Sequence, residues 1–157
     1  GSAAVIGLQM VPILEPSAPA AYDYAMKLGI AFQLANFIRD VGEDLERGRI
    51  YLPLGELASF GVSRSDLEAR VLTPQIVAAL KFQIARVRRL EEESRPGIAL
   101  LSPASQPCID AARILYCGIV DAVEGIGYDV FQRRAKVSLA RRLSVASRAW
   151  FRAVRAR

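Results

Sequence analysis

Apolar residues recur three and four apart through most of the chain, and no stretch alternates convincingly with period two, so the pattern predicts helices and no sheet. A first helix over 1–13 has Pro12 near its end, and Glu15 to Pro19 is a breaker-rich link. A long helix is expected from Ala18 or Pro19 to about Arg47, stopped by Gly48. After a loop over 49–55 come a short helix over 56–60, ended by Gly61, and a short turn capped by Ser63 or Ser65. Thr73-Pro74 opens the next helix, whose buried stripe is Ile76, Leu80, Ile84, Val87 and Leu90. Arg86, Arg88, Arg89 and Glu91 to Glu93 read as its solvated face, and Pro96-Gly97 breaks it. Beyond a loop over 102–107, Ile109, Ala112, Tyr116, Ile119 and Val123 form another stripe, interrupted by Gly125 and Gly127. A last helix carries Leu139, Leu143, Ala146, Trp150 and Val154 on one side.

The long helix holds the candidate chemistry. Gln33, Asn36, Asp40 and Asp44 fall within an arc of roughly 80° at 100° per residue. Leu34, Phe37, Ile38, Val41 and Leu45 fill the adjoining arc, while Arg39, Glu43 and Glu46 lie on the far side. A merely solvated polar stripe would sit opposite the apolar arc. This one borders it, so the carboxylates are expected at the edge of a cavity. Two Asp four apart repel by roughly 0.2–0.5 kcal/mol on an isolated helix, which calls for a cation. Hard oxygen ligands suit Mg²⁺, which takes one or two carboxylates together with substrate phosphates.

A lone D-x-x-x-D is common on helix surfaces. The full string is far more specific: G-x-x-x-Q-x-x-N-F-x-R-D-V-x-x-D-x-x-x-x-R-x-Y-x-P, from Gly29 to Pro53. It resembles the second aspartate-rich motif of the squalene/phytoene synthase family. Val41-Gly-Glu-Asp44 with Arg47-Gly-Arg49-Ile-Tyr51-Leu-Pro53 is most similar to bacterial phytoene synthases. The resemblance implies an all-α helical bundle of the isoprenoid (terpenoid) synthase type, with a deep apolar cavity and two aspartate-rich motifs across its mouth. Position by position, it implies metal-binding roles for Asp40 and Asp44, with Asn36 as a further ligand and Gln33 as their polar neighbour. Arg39 and Arg49 would engage diphosphate, and Tyr51 would sit in a flap over the site. Tyr128 and Arg134, in Gly127-Tyr-Asp-Val-Phe-Gln-Arg-Arg134, match a later family segment near the cavity. The implied cofactor is Mg²⁺, or Mn²⁺ in its place. The implied reaction is head-to-head condensation of two geranylgeranyl diphosphates to phytoene through a cyclopropyl diphosphate. Squalene or dehydrosqualene synthesis from farnesyl diphosphate is the alternative. No dinucleotide fingerprint favours a nicotinamide-using member, because Gly125-Ile-Gly127 lacks a preceding strand and the third glycine.

Composition narrows the choices. The chain has 157 residues, 52 % of them apolar, which suits one domain with an ample core. It has no His, so Ser-His, Cys-His and His-metal schemes are excluded. Cys108 and Cys117 have no zinc-like spacing and read as core thiols of a reducing cytosol. No other D-x-x-x-D exists, so half of the family's metal clamp is absent. Residues 1–157 are therefore expected to be the C-terminal portion of a single prenyl synthase domain, inactive alone, beginning inside a helix. The missing helices should leave an exposed apolar groove that favours self-association or a partner.

Charge is divided along the chain. The segment before Arg133 carries a net −4, and the remainder carries nine basic residues and no acidic one. The last helix puts Arg141, Arg148, Arg152 and Arg155 on one face. Such a helix could rest on an anionic membrane surface, contact nucleic acid, or pack on the bundle with its arginines outward. Packing on the bundle is the favoured reading, with peripheral contact at the inner membrane face kept as the alternative; the location expected is cytoplasmic, and no nucleic acid is expected. The alternative from another class is a non-catalytic membrane-binding or partner-binding module with an idle Asp stripe.

Overall fold

The computed structural model describes residues 2–156, and all regular structure among them is helical. Eight α-helices follow in order: α1 (Ser2–Met10), α2 (Ala21–Arg39), α3 (Val41–Glu46), α4 (Leu54–Ala58), α5 (Arg64–Glu68), α6 (Pro74–Ser94), α7 (Gln106–Gly125) and α8 (Leu139–Arg155). Short 3₁₀ segments, Val11–Leu14 and Arg95–Leu100, follow α1 and α6. Gly1 lies outside the described residues, so the first expected helix is seen from Ser2.

The local signals act as their chemistry dictates. The Thr73 hydroxyl accepts from the Ile76 amide and Pro74 opens α6. Ser63 and Asp66 form a reciprocal capping box on α5. Gly48 and Gly61 take left-handed φ of 68° and 73° past the ends of α3 and α4.

Helix α2 is the hub, packing against α1, α6 and α7. Ala31, Leu34, Ala35 and Ile38 meet Ile76, Leu80, Ile84 and Val87 of α6 and Ile119, Val120 and Val123 of α7 in one core. Helix α1 runs antiparallel to α2, with Ser2 beside Gln33 and Gly7 beside Ala25. The crossing is backbone on backbone: a Cβ on Gly7 would stand 2.7 Å from the Ala25 carbonyl oxygen, and one on Gly29 would strike that of Ala3.

Four expectations change. The long helix is two pieces, because the backbone at Asp40 turns to φ −96°, ψ 8° before α3 begins. The ladder survives the bend, with Asp40 N–H to Asn36 O at 2.9 Å and Asp44 N–H to Asp40 O at 2.8 Å. The bend coincides with close packing: a Cβ on Gly42 would lie 2.5 Å from the Val130 carbonyl oxygen. The α7 stripe also divides, since Ile119 and Val123 are core residues whereas Ile109, Ala112 and Tyr116 face a cavity. On α6, Arg86 and Arg88 are not simply solvated, because they tie α6 to Glu56 and to Asp121 and Glu124. Finally, Cys117 is buried, its thiol pushed up to about 12 chiefly by burial, but Cys108 is exposed.

Candidate active site

The polar stripe of α2 opens onto an apolar cavity of about 490 Å³. Gln33, Asn36 and Phe37 line it at one end, and Met10, Leu14 and Ala21 at the other. Asn36 lies fifteen positions beyond Ala21 on α2, a path of about 22 Å along the helix. Phe32 and Tyr116 stack inside it, ring centroids 4.6 Å apart and planes 20° from parallel. The pattern had placed Tyr116 in a buried core stripe and passed over Phe32. Their shared wall arises because α7 crosses α2 at that level, a tertiary fact that periodicity alone does not carry.

Asp40 sits one turn beyond Asn36, with its side chain 20 % exposed. Both of its oxygens are engaged. Arg39 Nε donates to Oδ1 at 2.8 Å and Nη2 donates to Oδ2 at 2.7 Å. Arg134 Nε, from the segment after α7, donates to Oδ1 at 3.1 Å and lies 3.2 Å from Glu43 Oε1. Burial pushes the Asp40 carboxyl up, but the Arg39 hydrogen bonds and charge, with Arg134, outweigh it and hold the group below its usual range. The Arg39 guanidinium is raised in turn, first by that hydrogen bond. Arg39 and Glu43, put on the far side of the helix by their angles, belong to this corner: Arg39 reaches back to its neighbour Asp40, and Glu43 meets Arg134.

Asp44 is less well served. Among the described residues it has neither an ion pair nor a side-chain hydrogen bond. Burial raises its pKa, and the charge of Asp40 one turn away adds to the effect. Arg49 donates from Nη1 to the Tyr51 hydroxyl at 3.4 Å, and the Tyr51 ring lies 4.6 Å from that of Phe37 and almost parallel to it. Since Phe37 also lines the cavity, the Arg49–Tyr51 loop covers the same corner from outside. Tyr128 stands apart. It is not among the cavity's lining residues; its hydroxyl is 3.5 Å from Glu124, and Lys81 lies 5.3 Å from its ring centre.

One organiser carries no motif signal at all. Arg70 donates from Nη2 to the carbonyls of Gly42 at 3.2 Å and Phe131 at 3.3 Å, and to Glu46 at 3.0 Å. It staples α3 to the segment that delivers Arg134.

Comparison with known proteins decides the family. The family profile described as squalene/phytoene synthase matches residues 1–141. The chain belongs to the squalene/phytoene synthase family. It is 41 % identical over 147 residues to phytoene synthase 2, chloroplastic, of Solanum lycopersicum, covering 90 % of this chain and 47 % of that protein. It is 40 % identical over 156 residues to 15-cis-phytoene synthase of Synechocystis sp., covering 97 % and 46 %. The crystal structure of a dehydrosqualene synthase in complex with ligand superposes with a TM-score of 0.84 at 31 % identity, covering 95 % of this chain and 53 % of that one. The chain thus spans about half the length of these relatives. The shared fold is the helical isoprenoid synthase type.

A divalent cation fits the donors that are present. Asp40, Asp44 and Asn36 carry the hard oxygen donors it takes; the Asp40 oxygens are shared with Arg39 and Arg134, and the raised Asp44 carboxyl marks negative charge that a cation would relieve. No group of three or more His, Cys, Asp or Glu among the described residues is arranged to hold a metal on its own.

Proposed function

We propose that this chain supplies the second aspartate half of a head-to-head prenyl diphosphate synthase, condensing two geranylgeranyl diphosphates to phytoene. The observation that carries the reading is one continuous surface. Carboxylates and arginines gather at Asp40, and an apolar cavity begins one turn away and runs along α2. A molecule with a diphosphate head and an isoprenoid tail is the ligand that such a surface fits.

The parts have separable duties. Asp40, Asp44 and Asn36 would hold Mg²⁺, which, when bound, supplies charge neutralisation for a departing diphosphate. Arg39, Arg49 and Arg134 add donors for phosphate oxygens. Phe32, Tyr116 and Phe37 give the tail aromatic walls and keep water from a developing allylic cation. Tyr51 closes the corner from the Arg49 side.

The test is Mg²⁺-dependent binding of a geranylgeranyl thiodiphosphate, followed by calorimetry. This chain should bind it and Asp40→Asn should lose at least about ten-fold in affinity. Equal binding without Mg²⁺, or by the variant, would overturn the reading. With geranylgeranyl diphosphate itself, turnover by this chain alone should be slow or absent, because it carries one aspartate motif; brisk phytoene formation would contradict that expectation.

A second, non-exclusive reading concerns α8. It has no buried residue, and Leu139, Leu143, Trp150 and Val154 are each more than half exposed. The helix packs on α7, and its half-buried residues are Val145, Ala149 and Ala153. An outward apolar stripe on a helix without acidic side chains suits an anionic lipid surface. No helix among the described residues is long and apolar enough to cross a membrane.

A further inference from the structure

Both Asp40 oxygens already accept hydrogen bonds, three in all from two arginines. Arg39 is the immediate neighbour of Asp40 and must stay nearby whatever happens. Arg134 is different. It arrives from 94 residues along the chain, its side chain is 44 % exposed, and its Nε is shared between Asp40 at 3.1 Å and Glu43 at 3.2 Å. Its approach is built in. Arg70 ties the Phe131 carbonyl to that of Gly42, and Gly42 has no Cβ to hold the two segments apart. The fold therefore delivers a positive charge to one face of the carboxylate that a cation would need.

We propose that Arg134 is the counter-ion that a divalent cation must displace from Asp40, so that it sets the cation affinity of the site. This rests on the reading of Asp40 as a cation ligand. Arg134 is a positioning residue: in the absence of cation it holds the Asp40 carboxylate in place and neutralises it. A cation held at Asp40 would release the guanidinium, and its donors would then be free for phosphate oxygens. The consequence is an order of events, with cation and anionic substrate entering together more readily than cation alone.

The experiment is titration of this chain with Mn²⁺, the free ion being read by electron paramagnetic resonance without substrate or turnover. Five proteins are compared: the parent, Arg134→Gln, Arg134→Lys, Lys136→Gln and Asp40→Asn. Arg134→Gln should bind Mn²⁺ about five-fold more tightly than the parent, the scale of a partly exposed ion pair. Lys136→Gln makes the same charge change two residues away and should shift affinity less than about two-fold. Arg134→Lys restores the charge and should return affinity towards the parent value. Unchanged or weaker binding by Arg134→Gln overturns the proposal. So does equal tightening by Lys136→Gln, which would assign the effect to overall charge, or by Arg134→Lys, which would assign it to packing. If the parent's Mn²⁺ binding survives in Asp40→Asn, or is absent, the reading of Asp40 as a ligand fails first. If binding depends on Asp40 but ignores Arg134, only the present proposal fails.

Discussion

The corner at Asp40 and the helix α8 are both rich in charge and use it in opposite ways. At Asp40 the acids and bases are matched within 3.2 Å, and the carboxylate is pulled below its usual range by its partners. On α8 the arginines have no acid of their own and borrow from α7 at longer range, Arg141 to Asp121 at 3.6 Å and Arg152 to Asp110 at 3.9 Å. The apolar residues differ in the same sense. Those of α2 beside Asp40 are shared with α6 and α7 in the core, whereas the Leu-Trp stripe of α8 touches nothing comparable. A matched corner is fixed in place and can present a cavity; a loosely tethered helix with free apolar surface is suited to meeting something else.

The sharpest way to break this contrast is stability. Ile38→Ala and Leu80→Ala each remove a fully buried side chain and should cost about 2–5 kcal/mol in urea unfolding. Trp150→Ala, although it deletes the largest side chain type, should stay within about 0.5 kcal/mol of the parent. A large loss from Trp150→Ala would mean that α8 belongs to the core. Next in size is lipid contact. Trp150→Ala should weaken co-sedimentation with vesicles of mixed anionic and zwitterionic lipid about ten-fold, the worth of one large apolar side chain entering the interface. Retention that is the same for parent and variant would remove the reason for an outward stripe.

The smallest effect lies in pH dependence and has opposite signs at the two aspartates. Asp40 is lowered in the fold, so its stabilisation is present above the ordinary carboxylate range near pH 4 and is lost as pH falls below it. Asp44 is raised, so its ionisation costs stability as pH rises through that range. Thermal melts of Asp44→Asn should therefore exceed the parent by about 0.2–0.5 kcal/mol at neutral pH, with the gain vanishing below about pH 4. A variant less stable than the parent at neutral pH would show that Asp44 already has a partner.

Much of this was legible in the chain's letters. Thr73-Pro74, Ser63 with Asp66, Gly48 and Gly61 mark helix ends by local chemistry, and each acts in place. The spacing of Gln33 and Asn36 placed both beside a cavity, because they share α2, whereas Asp40, at the bend, stands one turn beyond the lining residues. What failed was whatever depends on a second segment. Helical angles put Glu43 on the far side, yet Arg134 draws it into the corner. The face of Tyr116 is set by where α7 crosses α2. Arg70 has no motif, and only the meeting of α3 with the segment around Phe131 gives it a task.

The glycine crossing of α1 over α2 has a consequence for how such a tunnel can be tailored. Main chain already touches main chain at Gly7 and Gly29, so the gap there has no side chains to trim and none can be added. On the proposed reading, room for a shorter or longer tail would be adjusted elsewhere along the cavity, for example at Met10 and Leu14 near its other end. Bulk added at those two positions would shorten the cavity while leaving the corner at Asp40 untouched.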